Sequence, residues 1–368
     1  MRLMIVCGNF QLGGAETVAA DLTAALVARG HKVVVASVAR GGPMAEVFAR
    51  RGATVYEGLA RRSVDPLAML RFASVIRREA TDCLIVLDPL RNGLLYAIAG
   101  SVLSGRRVRR LCWCHSWPGG QAGRFRGRLA SYRCAGLLSA VVCVSPAQRR
   151  GIVGRLLPRR FLPVVPNGLD LHPYRARAGT GERSTTDQGK RTIVQVANLM
   201  PDKDFETLFQ AAAILAAKRD DFRLLLVGRG TDSPELTRAI KAAGLEGLVT
   251  ALGPCLDVPG LLAGADVFVL ASWRETFGLA ALEAMAAGLP VVVTDLPAFD
   301  DLFEGGREGL KVPAGDGGAL AEAIARLLDD GDLARAMGQA GGRRAEAFSA
   351  EEMGRRFDRL LRAICPGR

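Results

Sequence analysis

The sequence predicts an α/β protein made of two doubly wound domains of similar size. Three observations carry this. Short runs rich in Val, Ile and Leu alternate with longer amphipathic stretches. The apolar runs are continuous rather than alternating, as in parallel strands covered on both faces. The series pauses once, at the polar stretch "RARAGTGERSTTDQGKR" (175–191), and then starts again.

In the first series "RLMIVC", "KVVVAS", "CLIVLD", "RRLCWCH" and "AVVCVS" read as strands. The helix between the first two, "GAETVAADLTAALVARG", starts near Gly14 and stops at Gly30, a good residue to end a helix. In the second series the strands are "TIVQVAN", "FRLLLVG", "LVTALG", "VFVLAS" and "PVVVTD". The expected organisation is a first domain at 1–178, a linker at 179–190 and a second domain at 191–348. A C-terminal helix follows at 349–368, apolar at Met353, Phe357, Leu360, Leu361 and Ile364, and able to cross back to the first domain. In such sheets ligands bind at the carboxyl ends of the strands.

Composition sets limits. The chain has 368 residues, 49% hydrophobic and 23% charged, which is a globular composition. No apolar run reaches the length of a membrane span. The first ten residues, "MRLMIVCGNF", hold an apolar run too short for a signal-peptide core. A cytoplasmic location is expected. The eight cysteines show no framework spacing and read as reduced, buried small hydrophobes. "CWCH" (112–115) lacks a second ligand cluster, so no metal is expected there.

The net charge of +12 is uneven: residues 1–180 hold 27 Lys and Arg against 9 Asp and Glu, and residues 181–368 hold 22 against 28. The basic half suggests either an anionic partner or a solvated arginine-rich surface. Nucleic acid is not expected, because no RNA-binding signature is present. The anionic inner face of the cell membrane remains, with "RRVRR" (106–110) and "GRFRGRLASYR" (123–133) as candidate contacts. The second segment sets Phe125, Leu129 and Tyr132 among its arginines, a spacing equally suited to a membrane-surface helix and to a core helix.

Three stretches carry chemistry. "CGNFQLGGAET" follows the first strand and opens a helix, so its backbone N–H groups can face an anion; it is neither a P-loop nor a G-x-G-x-x-G turn. "ANLMPDKDFETLFQAA" sets Lys203 at a helix start, where a cation opposes the macrodipole unless it binds an anion. Asp202 and Asp204 read as helix caps rather than metal ligands. In "VFVLASWRETFGLAALEAMAAGLPVVVTD" a helix begins near Gly278, so N–H groups of Phe277, Gly278 and Leu279 can hold a phosphate oxygen. Glu283 leans back toward that end from the second turn, in reach of a ribose, and Glu275 precedes it, where a sugar joined to the phosphate would lie.

"ETFGLAALE" (275–283) resembles the Glu-x7-Glu motif of the family 4 glycosyltransferases, retaining enzymes of the GT-B fold. "GGAE" (13–16), "VCVSPAQRRGIV" (142–153), "VPNGLD" (165–170), "LLLVGRG" (224–230) and "EAMAAGLPVVVTDLPAFDDL" (283–302) follow in that family's order. The resemblance implies two Rossmann-like domains facing across a cleft. It implies a nucleotide-diphospho-sugar donor, such as a UDP- or GDP-sugar, and no cofactor. Lys203 would contact the diphosphate, Glu275 the donor sugar and Glu283 the ribose. Phe277, Gly278 and Leu279 would offer backbone contacts to the phosphates, Gly13 and Gly14 would close on them, and His115 would sit near the sugar. The base would lie near Gly228. Asn198 stands where many members carry an arginine. The acceptor would be a saccharide or lipid-linked saccharide in bacterial surface polysaccharide or lipopolysaccharide synthesis, met at the inner face of the membrane. A nucleotide-sugar epimerase, a non-catalytic nucleotide-sugar sensor and a nucleic-acid-binding protein are the alternative readings.

Overall fold

The computed structural model describes residues 1–62, 64–88, 92–116, 122–154, 156–177, 189–303 and 306–366. The expected linker lies outside them except for its last two residues.

The chain divides into two compact units, Met1–Asp170 with Ser349–Arg368, and Leu171–Phe348. The first unit runs β1 (Arg2–Cys7), α1 (Gly14–Val27), β2 (Lys32–Ser37), α2 (Met44–Arg50), β3 (Thr54–Tyr56), α3 (Leu67–Arg78), β4 (Cys83–Leu87), α4 (Asn92–Leu103), β5 (Arg109–Cys114), α5 (Ala122–Cys134), β6 (Ala140–Cys143) and α6 (Pro146–Ile152). Its strands pair in parallel in the order β3-β2-β1-β4-β5-β6. Every residue of β4 and β6 is buried, as continuous apolar runs require of strands covered on both faces.

The second unit opens with α7 (His172–Arg177) and continues through β7 (Arg191–Val196), α8 (Phe205–Ala216), β8 (Phe222–Val227), α9 (Pro234–Ala242), β9 (Val249–Gly253), α10 (Val258–Ala263), β10 (Val267–Leu270), α11 (Leu279–Ala286), β11 (Val291–Thr294), β12 (Leu310–Val312), α12 (Gly317–Asp329) and α13 (Gly331–Ala345). The sheet order is β12-β11-β10-β7-β8-β9, again parallel.

One departure from the sequence reading concerns the stretch expected to be linker. Arg175 and Arg177 are helical, and they pair with Glu346 and Asp257 of the second unit. The last helix, α14 (Ala350–Ile364), belongs to the first unit. Ser349 caps it, its side chain accepting from the N–H of Glu352. Its apolar stripe is buried at Met353, Phe357 and Leu361, and the Phe357 ring meets Trp113 of β5 edge-on at 4.8 Å between centroids.

The arginine-bearing helix α5 is settled by burial. Phe125 and Leu129 are part of the first unit's core and Tyr132 packs against it, while Arg126 and Arg128 are exposed. Its apolar side chains therefore serve the core and are not a membrane-inserting face. Six cysteines are buried; Cys134 is exposed and Cys255 partly so, and all are free thiols. Among the described residues no helix is long and apolar enough to cross a membrane.

Candidate functional site

Both sheets reverse direction once. In the second unit the chain lays down β7, proceeds outward to β8 and β9, and then returns to place β10 on the other side of β7. The carboxyl ends of β7 and β10, where the order reverses, are the usual ligand position in an open α/β sheet. Lys203 lies on the loop after β7, and Ser272 and Glu275 on the loop after β10.

These loops are tied together. Lys203 and Ser272 form an isolated antiparallel bridge. The N–H of Asp204 donates to the Ala271 carbonyl at 3.1 Å, and that of Trp273 to the Asp202 carbonyl at 2.9 Å. Across this bridge the Lys203 ammonium donates to the Glu275 carboxylate. The Ser272 hydroxyl stands 3.5 Å from Lys203 Nζ and 3.4 Å from Glu275 Oε1. The two charged side chains are only 19% and 12% exposed, so each is held where water screens it weakly. Among the described residues no group of three His, Cys, Asp or Glu side chains forms a cluster able to hold a metal ion.

The neighbouring aspartates divide their tasks. Asp204 caps α8, accepting from the N–H of Thr207 at 3.1 Å and its hydroxyl at 2.6 Å. Asp202, also expected to cap, instead pairs with Arg274 on the facing loop. The reason is reach: Asp202 is two residues further from the helix than its cap and lies beside the Lys203–Ser272 bridge.

Gly278 precedes α11 with φ of +92°. A Cβ there would also stand 2.3 Å from the Phe299 ring, so only glycine fits. The first intrahelical bond runs from the Leu282 N–H to the Gly278 carbonyl, so the N–H groups of Leu279 and the next two residues have no intrahelical acceptor. Phe277 is buried, its ring edge-on to Phe348 at 5.7 Å, so only its backbone is available to a ligand. Glu283 is half-buried on the second turn of α11.

Asn198 and Gly228 sit at the ends of β7 and β8. Asn198 Oδ1 accepts from the Arg229 N–H at 2.9 Å, which leaves the amide nitrogen as the atom able to donate. Gly228 has φ of +143°, and a Cβ would lie 2.2 Å from the Ala197 carbonyl oxygen, so its glycine is what lets the two loops touch.

In the first unit the reversal falls between β1 and β4. Gly13 caps α1 after the β1 loop, and Gly14 is the exposed first residue of that helix. His115 directly follows β5, half-buried, its ring 4.4 Å from that of Trp113. The carboxylate of Asp88, at the end of β4, organises this turn. It accepts from the N–H groups of His115 (3.0 Å) and Ser116 (2.9 Å) and from the Ser116 hydroxyl (2.6 Å). Asp88 itself adopts φ of +54°, a conformation costly for a residue other than glycine. Burial lowers the His115 imidazole to about 4, against the opposite pull of Asp88.

Sequence reasoning missed Ser272 and Asp88. Both were visible as the polar residue closing an apolar strand, in "VFVLAS" and "CLIVLD".

Residues 12–172 match the family model described as Glycosyltransferase Family 4, and residues 190–330 that described as Glycosyl transferases group 1. The chain has the GT-B fold, and each of its two units is matched by a glycosyltransferase family model. Its fold is that of a glycosyltransferase from Rickettsia africae (TM-score 0.82, 18% identity, 100% of this chain and 99% of that one). It is equally that of HepE from Anabaena, solved in complex with UDP and glucose (TM-score 0.84, 20% identity, 99% and 100%). Curated relatives include the lipopolysaccharide core biosynthesis mannosyltransferase LpsB of Rhizobium meliloti, 32% identical over 46% of this chain and 50% of its own. An exopolysaccharide phosphotransferase of Streptomyces coelicolor is 32% identical over 57% of this chain and 21% of its own. The chain spans half or less of the length of these curated relatives.

Proposed function

We propose that the protein is a retaining, metal-independent family 4 glycosyltransferase. It moves a hexosyl unit from a UDP- or GDP-sugar to a saccharide or lipid-linked saccharide in bacterial surface polysaccharide or lipopolysaccharide synthesis. The observation that carries this reading is the Lys203–Ser272–Glu275 cluster at the sheet's reversal, with the N-terminus of α11 opening just after it.

The chemistry follows from those groups. Transfer breaks the bond from the sugar's anomeric carbon to the phosphate oxygen and forms one to the acceptor oxygen, whose proton passes to the departing diphosphate. The negative charge that develops there meets Lys203 and the first N–H groups of α11. These are fixed cationic and dipolar groups, so the leaving group needs no bound metal. Glu275 receives the sugar hydroxyls and opposes the positive charge growing on the ring. No carboxylate nucleophile is required, unlike a retaining glycosidase. Glu283 takes the ribose, and Asn198 replaces a charged phosphate contact with an amide donor.

The test is transfer from a panel of nucleotide-sugars to saccharide acceptors in excess EDTA, with the product's anomeric configuration read by NMR. Retained configuration without metal supports the reading. Inverted configuration, or strict dependence on Mg²⁺ or Mn²⁺, overturns it. Release of nucleotide with no acceptor present would point to an epimerase instead.

A further inference from the structure

Asp88 adopts φ of +54°, a conformation that glycine takes freely and aspartate only at some cost. Strain of this kind gathers at functional sites, held in place by the structure around it. Asp88 follows β4 at the reversal of the first sheet, where open α/β sheets bind their ligands. What aspartate adds over glycine at this position is a carboxylate, and that carboxylate reaches across to the end of β5.

The turn it meets, His115 and Ser116, is held from two sides. Asp88 Oδ1 accepts from both backbone N–H groups, and Oδ2 accepts from the Ser116 hydroxyl at 2.6 Å, a short charge-assisted bond. From α6, Gln148 Nε2 donates to the carbonyls of Cys114 and Ser116, each at 3.2 Å. Gln148 is fully buried, and its Oε1 accepts from the Val144 N–H at 2.9 Å, so the amide can face only one way. The backbone N–H, the carbonyl and the hydroxyl proton of Ser116 are thus all committed. Its side chain, half-buried at the carboxyl end of the sheet, can meet a further group only as an acceptor, through the Oγ lone pairs.

We propose that Ser116 Oγ accepts a hydrogen bond from a hydroxyl of a bound sugar, and that Asp88 is the positioning residue that fixes this polarity. The inference rests on the proposed transferase reading, which brings saccharides to this chain, and names one group that recognises them. With its proton held by a carboxylate, Ser116 welcomes a hydroxyl. It disfavours a group that can only accept, such as a phosphate oxygen or a fluorine.

Transfer by the full chain is measured from UDP- and GDP-hexoses to mono- and disaccharides, with monodeoxy and deoxyfluoro analogues of donor and acceptor in turn. In the wild type, deoxygenation at one sugar position should lower kcat/KM about tenfold, and fluorination there about as much, since fluorine cannot donate. Ser116→Ala should lose about tenfold with the natural sugar and be indifferent to that analogue. The loss should fall on KM with kcat little changed, as for a ground-state contact, whereas a merely structural role would leave KM alone. Whether the donor's or the acceptor's KM rises identifies which sugar is read. Asp88→Asn can keep the positive φ and both N–H contacts, but it turns an N–H toward Ser116 and lets the hydroxyl proton face the ligand. It should therefore discriminate less against the fluorinated analogue, and adding it to Ser116→Ala should cost nothing more. Thermal melts of each variant confirm folding. Unchanged KM values in Ser116→Ala, or penalties that multiply for every analogue, would overturn the proposal. Calorimetric binding of the same sugars separates it from the transferase reading. Sugar binding that Ser116→Ala loses, in a wild type without turnover, would overturn only the transferase reading. Neither binding nor turnover in the wild type would overturn both.

Discussion

Lys203 and Glu275, 72 residues apart, form an ion pair across the two loops that meet where the second sheet reverses. The sequence reading gave them separate ligands, a diphosphate and a sugar. In the structure each is the other's partner. A diphosphate bound at Lys203, as proposed, would share the ammonium with Glu275, and the pair holds both side chains in position.

This yields a double-mutant prediction. Lys203→Met or Glu275→Gln alone strands a half-buried charge and should cost about 1–3 kcal/mol in denaturant unfolding. The double variant should recover most of that stability, because no charge is left uncompensated. Transfer activity should be lost in all three. Recovery of turnover together with stability would show that the pair is structural only.

Gly278→Ala should destabilise the protein by about 1–3 kcal/mol, since alanine is strained at positive φ and its methyl group meets the Phe299 ring. Donor affinity should fall as well, because the start of α11 must shift. Nucleotide binding at temperatures below the lowered melting point reads the second effect apart from the first.

Two groups shielded from water give opposite pH dependences. His115 has its pKa lowered by burial from 6.5 to about 4, so between those values the unfolded chain binds the extra proton. Its contribution to stability is full above about 6.5 and is lost as pH falls toward 4. NMR titration should find its imidazole neutral throughout the neutral range; protonation near pH 6.5 would contradict the buried placement.

Asp21 behaves in the reverse sense. Burial raises its carboxyl from 3.8 to about 6, against hydrogen bonding from the Asp170 N–H and the charge of Arg51. The folded state holds the proton longer, so this contribution is present below about 3.8 and is lost as pH rises through 6. Asp21→Asn should remove that slope from unfolding curves measured between pH 4 and 6. An unchanged slope would show that Asp21 is ionised in the fold at that pH.

Phe357→Ala should cost about 3–5 kcal/mol, because the ring is fully buried against Trp113 and its loss leaves a cavity under α14. Thermal unfolding measures this. A cost near zero would mean that α14 contributes little to the first unit.

Most strands were legible because both faces are buried, so each reads as one apolar run; β9, with Thr250 and Leu252 exposed, was legible from its composition. The strands β3 and β12 were not, being three residues each and only partly buried. Lys203 was legible because a cation at a helix start opposes the local expectation, and Glu275 and Gly278 because they lie where an apolar strand gives way to a helix. The contact of Lys203 with Glu275 was not, since nothing local encodes a pairing across 72 residues. Asp202 was misread for the same reason, its partner Arg274 lying on the facing loop. The positive φ of Asp88 has no sequence signal at all, for aspartate is permitted there but does not announce it. Helix α5 was ambiguous because periodicity says which residues share a face, not what covers that face.

Calorimetric titration of UDP and GDP in excess EDTA, into the wild type and into Lys203→Met, tests the central claim most directly. The account predicts that one of the two nucleotides binds the wild type without metal, and that Lys203→Met weakens it by about tenfold or more while the protein remains folded. Equal affinity in the two proteins, or binding only when a divalent cation is restored, would contradict it.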